Sequence, residues 1–285
     1  MSTSQLPQSD VISVVIDSHI ATLWLDRPEA RNAFAADFWA DLPVIMERLG
    51  TDPDVRVVVI AGRGDAFTVG IDLKAFGPAL IGGAGLTEGT EPPRSEVEAR
   101  QRLYQSVKHL QRAFNSIADC PKPVIAAVHG YCIGAGIDLI TACDIRFAAQ
   151  DTIFSVRETQ MAMVADVGTL QRLPKIIDPG RVAEIVYTGK NFGATEALEM
   201  GLVSRVASDA AAVQREAHQL AEAIAANSPL AVQGSKAVLR AGEGRSVEEA
   251  LDYVALWNAS FITSNDLTEA VTSFIEKRPP EFTGS

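Results

Sequence analysis

The sequence predicts an α/β (α+β) fold in which strands and helices alternate first and helices follow alone. Short runs rich in β-branched residues, such as Val57-Val58-Val59-Ile60, alternate with segments of helical periodicity up to about residue 205. Beyond that point apolar residues recur at three- and four-residue steps, which is typical of amphipathic helices. We therefore expect a core over residues 1–205 and a helical region over residues 206–285.

The first elements are a hairpin, a helix and a buried strand. Apolar runs at 11–16 and 20–25 flank a polar turn, and RPEARNAF then predicts the start of a helix. Apolar residues from Phe38 to Leu49 share one helical face, and Asp52-Pro53-Asp54 ends that helix. The nearly unbroken apolar run at 55–61 is typical of a strand buried in a parallel sheet.

The middle of the chain continues the alternation. A helix is expected after Leu73, and residues 77–96, rich in Gly and Pro without apolar periodicity, predict a mobile surface loop. An apolar stripe from Leu103 to Ile117 predicts one long helix, which ends before Pro121 because a residue preceding proline disfavours the helical conformation. Strands are expected at 124–128, 145–148, 152–156 and 201–203, and four helices fill the last third.

Composition excludes some classes of partner. With 285 residues, of which 47% are hydrophobic, the chain is long enough to bury a substantial core. Its net charge of −11 provides no electrostatic footprint for nucleic acid, whose phosphates are bound by clustered Lys and Arg. These features favour an acidic enzyme that binds no nucleic acid.

Cysteine use and the termini predict a cytoplasmic protein. The three cysteines, at 120, 132 and 143, have neither metal-ligand spacing nor the even number of a disulfide framework. The N-terminus lacks a basic region followed by an apolar run, and no apolar stretch reaches the roughly 18 residues that span a bilayer. The C-terminal EFTGS is not a peroxisomal address. We expect no metal and no membrane association.

A glycine-rich turn after the strand at 124–128 is the first candidate for chemistry. Glycines at 130, 134 and 136 permit close backbone approaches, and the helix that follows leaves unpaired amides near Ala135 at its positive end. Such amides stabilise an oxyanion. The alternative is a turn that only packs tightly, because a short glycine pattern is a weak signal by itself.

Two segments carry a resemblance to a known family. HGYCIGAGIDLITACDIRFAAQDTIFSVRE resembles the oxyanion segment of the crotonase (enoyl-CoA hydratase/isomerase) superfamily, and GRGDAFTVGIDLKAF resembles its second oxyanion segment upstream. The resemblance implies a crotonase-like ββα spiral core, with oxyanion amides at Ile71 and Ala135. It also implies a wider substrate-binding set: Val69, Gly70, Ile71, Asp72, Leu73, Gly134 and Ala135.

The same resemblance implies a coenzyme A thioester substrate and no other cofactor. Arg27 and Arg31 lie in a segment like the one near the coenzyme A phosphates, and Lys277 is a further candidate contact. Surface solvation of the two arginines is the alternative. The family implies a homotrimer or a dimer of trimers, and the amphipathic C-terminal helix would leave an apolar face exposed on a monomer.

Three acidic residues are the catalytic candidates: Asp138, Glu158 and Asp166. With VGTLQRLPK after it, this trio resembles the Δ3,5-Δ2,4-dienoyl-CoA isomerases within the superfamily. That resemblance implies proton transfer from C2 to C6 of a 3,5-dienoyl thioester, a step of fatty acid β-oxidation. Two acid/base groups are needed at opposite ends of the short conjugated system, and Glu158 and Asp166 fit that role.

Two other functions are considered. In an enoyl-CoA hydratase, Asp138 and Glu158 together would activate water for addition to a 2-enoyl thioester, and Asp166 would have no role. A non-catalytic binding protein on the same scaffold is the third hypothesis, since fold alone does not fix function. The acidic charge and the retained trio argue against this last hypothesis.

Overall fold

The structure is a computed structural model that describes residues 7–82 and 93–285. Its strands are β1 (Ile12–Asp17), β2 (Ile20–Leu25), β3 (Val57–Gly62), β4 (Val124–Val128), β5 (Tyr131–Ile133), β6 (Ile145–Ala149), β7 (Ile153–Ser155), β8 (Phe192–Gly193) and β9 (Arg205–Ala207). The helices in its first two thirds are α1 (Ala36–Thr51), α2 (Leu73–Gly82), α3 (Glu96–Asp119), α4 (Ala135–Ala142), α5 (Thr169–Arg172), α6 (Pro179–Thr188) and α7 (Ala194–Glu199). The last third contains α8 (Ala210–Ala225), α9 (Pro229–Ala241), α10 (Val247–Phe261) and α11 (Asn265–Glu276).

Two sheets organise the core. The larger has the order β1-β2-β3-β4-β6-β9, in which β1 and β2 are antiparallel and the other pairs are parallel. The smaller, β5-β7-β8, pairs β5 with β7 in parallel and β7 with β8 antiparallel. The predicted α/β fold is therefore confirmed, including the opening hairpin and the four terminal helices.

The central strands are buried on both faces. Val58 and Ile60 of β3 join the cluster that includes α1, α3 and α4, whereas Val57 and Val59 join a second cluster with α8. Because successive side chains of a strand point to opposite faces, an unbroken apolar run suits a strand covered on both sides. The first helix of the C-terminal region thus packs on the sheet itself.

The segment after β2 differs from the expected helix. Only Pro28–Ala30 is helical, as a single 3-10 turn, and α1 begins at Ala36. Arg31 and Asn32 have positive φ angles, which no α-helix permits. Buried Asn32 accounts for the difference, because its side chain donates to the carbonyls of Arg63 and Ala66. A tertiary contact overrides local helical propensity here.

Two further expectations need correction. Helix α2 extends to Gly82, into the stretch expected to be a loop, and residues 83–92 of that stretch lie outside the described residues. The returning strand is β9 at Arg205–Ala207 and not residues 201–203, where the backbone turns at Gly201 with φ +81°. In the described ranges no helix is long and apolar enough to cross a membrane.

Gly130 lets the β4–β5 turn lie against the β3–α2 connection. Its φ is +61°, and a Cβ at this position would lie 2.0 Å from the carbonyl oxygen of Asp65. Because that neighbour is backbone, it has little freedom to move aside. The glycine therefore permits a contact between the two connections on which the site below depends.

We expect Gly130→Ala to lower the free energy of unfolding by about 2–4 kcal/mol, since strain at positive φ adds to overpacking. Chemical denaturation monitored by circular dichroism measures the change. Gly193→Ala is the matched control, because a Cβ at Gly193 meets nothing within 4 Å. A Gly130→Ala protein as stable as this control would contradict the assigned contact.

Candidate active site

Two turns from distant parts of the chain meet beside the smaller sheet. The amide of Thr68 donates to the carbonyl of Tyr131 at 2.8 Å, and the amide of Ile133 donates to the carbonyl of Thr68 at 3.2 Å. Gly70, with φ +85°, allows the closest approach, because a Cβ there would lie 2.7 Å from the carbonyl oxygen of Ile133. The two segments expected to carry oxyanion amides are thus in direct contact.

The amides of Ile71 and Ala135 remain available in this arrangement. The neighbouring amides are occupied, since Asp72 donates to the carbonyl of Phe34 and Gly134 donates to the carbonyl of Ser155. Within the described residues neither Ile71 nor Ala135 uses its amide in a hydrogen bond. Ala135 is the first residue of α4, where backbone N–H groups have no intrahelical partner. Two free donors therefore lie on one wall.

A cavity of about 420 Å³ opens in front of these amides. Eight of the residues expected at the site line it: Val69, Gly70, Ile71, Leu73, Gly134, Ala135, Glu158 and Asp166. Asp138 lies behind the wall and Asp72 lies outside the lining. The volume falls in the range of ordinary ligand pockets.

The rest of the cavity is largely apolar. Helix α3 contributes Leu103, Val107 and Leu110, and Met161, Met163 and Val164 face it from the segment after β7. The sequence predicted one buried stripe on α3, but the stripe divides. Phe114 and Ile117 are fully buried, whereas Leu103 is 42% exposed on the cavity wall. This surface suits the hydrocarbon part of a ligand.

Asp138 is a buried carboxyl group on α4 with one hydrogen bond. It is 0% exposed, and its Oδ1 accepts from the amide of Thr169 at 2.5 Å. Its Oδ2 has no partner among the described residues. Burial raises the pKa of Asp138 to about 6, with repulsion from Asp166 adding to the rise and Thr169 and Arg172 opposing it.

Glu158 follows β7 and lies beside the glycine turn. Its Oε1 is 3.4 Å from the position that a Cβ of Gly134 would occupy, and its Oε2 has no partner in the described chain. Burial raises the pKa of Glu158 to about 7, and repulsion from Asp138 and Asp166 contributes. Its carboxyl group therefore holds its proton more strongly than an ordinary glutamic acid does.

Asp166 is the third acid of the group, and it lines the same cavity as Glu158. Its carbonyl accepts a 2.7 Å hydrogen bond from Nε2 of Gln111 on α3. Although the side chain is open to the cavity, partial burial raises the pKa of its carboxyl above the ordinary value. Residues far apart in the sequence thus form one cluster of three mutually repelling carboxyl groups.

The three basic residues expected to contact the coenzyme A phosphates lie outside the cavity lining. Arg27, Arg31 and Lys277 are not among the residues that line the cavity. Nη1 of Arg27 donates to Oδ2 of Asp72 at 3.2 Å and to the carbonyl of Ala33, which ties it to the turn before α2. Arg31 lies over the ring of Tyr131, and Lys277 ends α11. Arg27 therefore connects the segment before α1 to the turn before α2.

Trp39, Gln111 and Arg172 are among the residues near the site that the sequence patterns did not identify. Trp39 lines the cavity from α1, where it packs edge-on against Phe34 and Phe38. Gln111 and Arg172 contact the segment that carries Asp166. Gln111 lies next to the apolar stripe of α3 in the sequence, which marks it as a polar residue at the edge of that stripe. This pattern does not show that its partner is the carbonyl of Asp166.

Comparison with known proteins places this geometry in a family. The family model for enoyl-CoA hydratase/isomerase matches residues 16–285. The chain is 41% identical over 273 residues to the peroxisomal Delta(3,5)-Delta(2,4)-dienoyl-CoA isomerase of Arabidopsis thaliana, covering 96% of each chain. It is 43% identical to the mitochondrial enzyme of that name from Mus musculus, covering 91% of this chain and 77% of the relative.

Solved structures agree with the sequence relatives. The crystal structure of enoyl-CoA hydratase from Bacillus anthracis superimposes with a TM-score of 0.85 at 30% identity, covering 97% of this chain and 100% of the other. An enoyl-CoA hydratase from Polaromonas sp. JS666 gives a TM-score of 0.83 at 26% identity, with 95% and 99% covered. The chain belongs to the enoyl-CoA hydratase/isomerase family.

Proposed function

We propose that the protein isomerises 3,5-dienoyl-CoA to 2,4-dienoyl-CoA during fatty acid oxidation. The observation that carries this proposal is the cluster of Asp138, Glu158 and Asp166 at a cavity whose wall also presents two free amides. Relatives that are 41% and 43% identical have the name of this activity, which supports the same assignment here. The substrate is an acyl-CoA thioester, and no other cofactor is required.

The amides of Ile71 and Ala135 bind the thioester oxygen. Removal of a proton from C2 places negative charge on that oxygen, and two fixed donors stabilise it more strongly as the charge grows. Ala135 adds the positive end of α4 to its own N–H group. The substrate is thereby made acidic at C2 in a cavity with largely apolar walls.

Two of the carboxyl groups exchange the protons. One ionised carboxylate accepts the proton from C2, the negative charge spreads through the diene, and a protonated carboxyl group donates a proton to C6. The double bonds shift from positions 3 and 5 to positions 2 and 4, and no atom is gained or lost. Glu158 and Asp166 both line the cavity and fill these two roles.

The raised pKa values suit this chemistry. An ionised base and a protonated acid must coexist near neutral pH, and ordinary carboxyl groups would both be ionised there. Burial and mutual repulsion raise the pKa of Glu158 to about 7 and the pKa of Asp138 to about 6. Asp138 tunes the charge of the pair from behind the wall, because its repulsion contributes to the raised pKa of Glu158.

Hydration of 2-enoyl-CoA is the second candidate. The solved structures of enoyl-CoA hydratases superimpose closely, and Asp138 and Glu158 are the two acids that such a reaction would use. Asp166 has no role in that reaction, since no proton is placed at the far end of a diene. This residue therefore separates the two functions.

Asp166→Asn is expected to lower dienoyl isomerisation by about 10² to 10⁴, the usual contribution of a general acid or base. Ultraviolet absorbance follows both reactions, because isomerisation extends conjugation to the carbonyl and hydration of a 2-enoyl thioester removes it. Asp151→Asn, an exposed aspartate outside the cavity lining, is the matched control. Isomerisation by Asp166→Asn at the rate of the control would refute the proposal and favour the hydratase.

The rate of isomerisation is expected to show a bell-shaped dependence on pH. Turnover falls at low pH as the base becomes protonated, and it falls at high pH as the acid loses its proton. Glu158, with a pKa of about 7, sets one limb of the profile, and Asp166, whose pKa burial raises above the ordinary value of a carboxyl group, sets the other. Measurement of kcat from pH 5 to 9 tests this, with Glu158→Gln expected to abolish one limb. A flat profile through neutrality would contradict it.

We further propose that the chain forms a homotrimer or a dimer of trimers through α9, α10 and α11, the part of residues 206–285 that does not pack on the sheet. Large apolar side chains are exposed there, with Phe274 84% and Ile275 73% exposed. A contiguous apolar face of this kind favours association. We also propose a cytoplasmic location, although the relatives are named for the peroxisome and the mitochondrion.

Phe274→Asp combined with Ile275→Asp is expected to shift the protein toward a monomer, because two charges replace apolar contacts in the interface. Sedimentation velocity at micromolar concentration measures the assembly. Val97→Asp, an exposed apolar position on α3, is the control for added charge. A parent protein that sediments as a monomer would exclude the assembly.

A further inference from the structure

Arg172 connects helix α3 to the segment that carries Asp166. It is the last residue of the short helix α5, and its Nη2 donates to Oδ1 of Asn115 on α3 at 2.5 Å. Its Nη1 reaches back to the carbonyl of Val167 at 3.4 Å. The guanidinium group thus contacts the residue after Asp166 from one side and α3 from the other.

Gly168 provides the space for this guanidinium group. Its φ is +138°, and a Cβ at Gly168 would lie 1.8 Å from Nη1 of Arg172. Only glycine therefore leaves this position open and adopts this backbone conformation without strain. The backbone at Val167 and Gly168 therefore lies against the guanidinium group of Arg172.

The positive charge of Arg172 acts on the acid cluster. Burial raises the pKa of Asp138, and Arg172 opposes that rise. Of the three acids, Asp138 is the one on which the charge of Arg172 acts. The other groups that act on Arg172 are Cys143 after α4, Asp119 at the end of α3 and Arg240 on α9.

We infer that Arg172 is a positioning residue for the proposed isomerisation: it fixes the Asp166 segment against α3 and supplies the positive charge that balances buried Asp138. It does not line the cavity, so it acts through these two acids and touches no substrate. Gln111 supports the same segment at the carbonyl of Asp166. The inference rests on the proposed function for its kinetic test, and it has a second test that needs no substrate.

The kinetic test compares Arg172→Gln with Arg172→Lys in the parent and in Asp166→Asn. A lost hydrogen bond to a charged group costs about 10- to 100-fold, so Arg172→Gln should lower kcat by that factor with little change in KM. Arg172→Lys should recover part of the loss because it keeps the charge. In Asp166→Asn the same change should cost less than in the parent, since the acid being positioned is already gone.

The substrate-free test follows the ionisation of Asp138 by carboxyl ¹³C shifts in protein labelled at aspartate. Loss of Arg172 should move the Asp138 midpoint to higher pH, because a nearby cation favours the ionised form. Arg181→Gln, an exposed arginine paired with Glu184 on α6, is the matched control and should leave both kcat and the midpoint unchanged. If Arg172→Gln fails to fold, Asn115→Ala removes one contact of the guanidinium from the surface and should lower kcat in the same direction.

The outcomes separate this inference from the proposed function. If Asp166→Asn abolishes isomerisation while Arg172→Gln and Asn115→Ala turn over like Arg181→Gln, the positioning role is refuted and the proposed function remains. If Asp166→Asn is fully active, the proposed function fails, and an unchanged Asp138 midpoint in Arg172→Gln then overturns the charge-balancing role as well. A kcat loss of equal size in the parent and in Asp166→Asn would also overturn the inference, because it would indicate general damage to the fold.

Discussion

The cost of ionising several carboxyl groups in one small space governs this site. Asp138 has lost its contact with water, Glu158 is partly buried, and the charge of Asp166 acts on both. Each additional negative charge is therefore repelled by the others and poorly solvated, and protons remain bound at a pH where free carboxyl groups would have released them. A site with this property can hold one ionised and one protonated carboxyl group at the same time, as the proposed proton transfer requires.

The sheet and the turns around the site hold these carboxyl groups in fixed positions. The parallel sheet fixes the starts of the two connections that follow β3 and β4, and the pairing of Thr68 with Cys132 joins those connections. Glycines at 70 and 130 permit backbone contacts that any side chain would block. Helix α4 begins at the junction and carries Asp138 on its first turn, so the free amide of Ala135 and the buried acid belong to one rigid element.

Local patterns sufficed for most of the fold, because unbroken apolar strands and one-faced helices are signals within a single segment. The helix expected over RPEARNAF was wrong since buried Asn32 binds two distant carbonyls, and no local rule contains that contact. At the site, the resemblance supplied Asp138, Glu158 and Asp166 as candidates, whereas their convergence on one cavity required the tertiary structure. Gln111 and Arg172 escaped attention because their partners, a backbone carbonyl and an exposed asparagine, leave no mark on the sequence.

Helix α3 both lines the cavity and contacts the segment that carries Asp166. One part of its surface, Leu103 and Val107, forms the apolar wall, and Gln111 and Asn115 one and two turns further along hold the segment of Asp166. Because both groups of side chains belong to one helix, an acyl chain that shifted this wall in the proposed reaction would also shift the contacts of the Asp166 segment. Under the proposed function, the length and shape of the hydrocarbon would therefore affect both the affinity at this wall and the alignment of Asp166 with the reacting carbon. Selectivity among acyl chains in such an enzyme belongs to turnover as much as to binding.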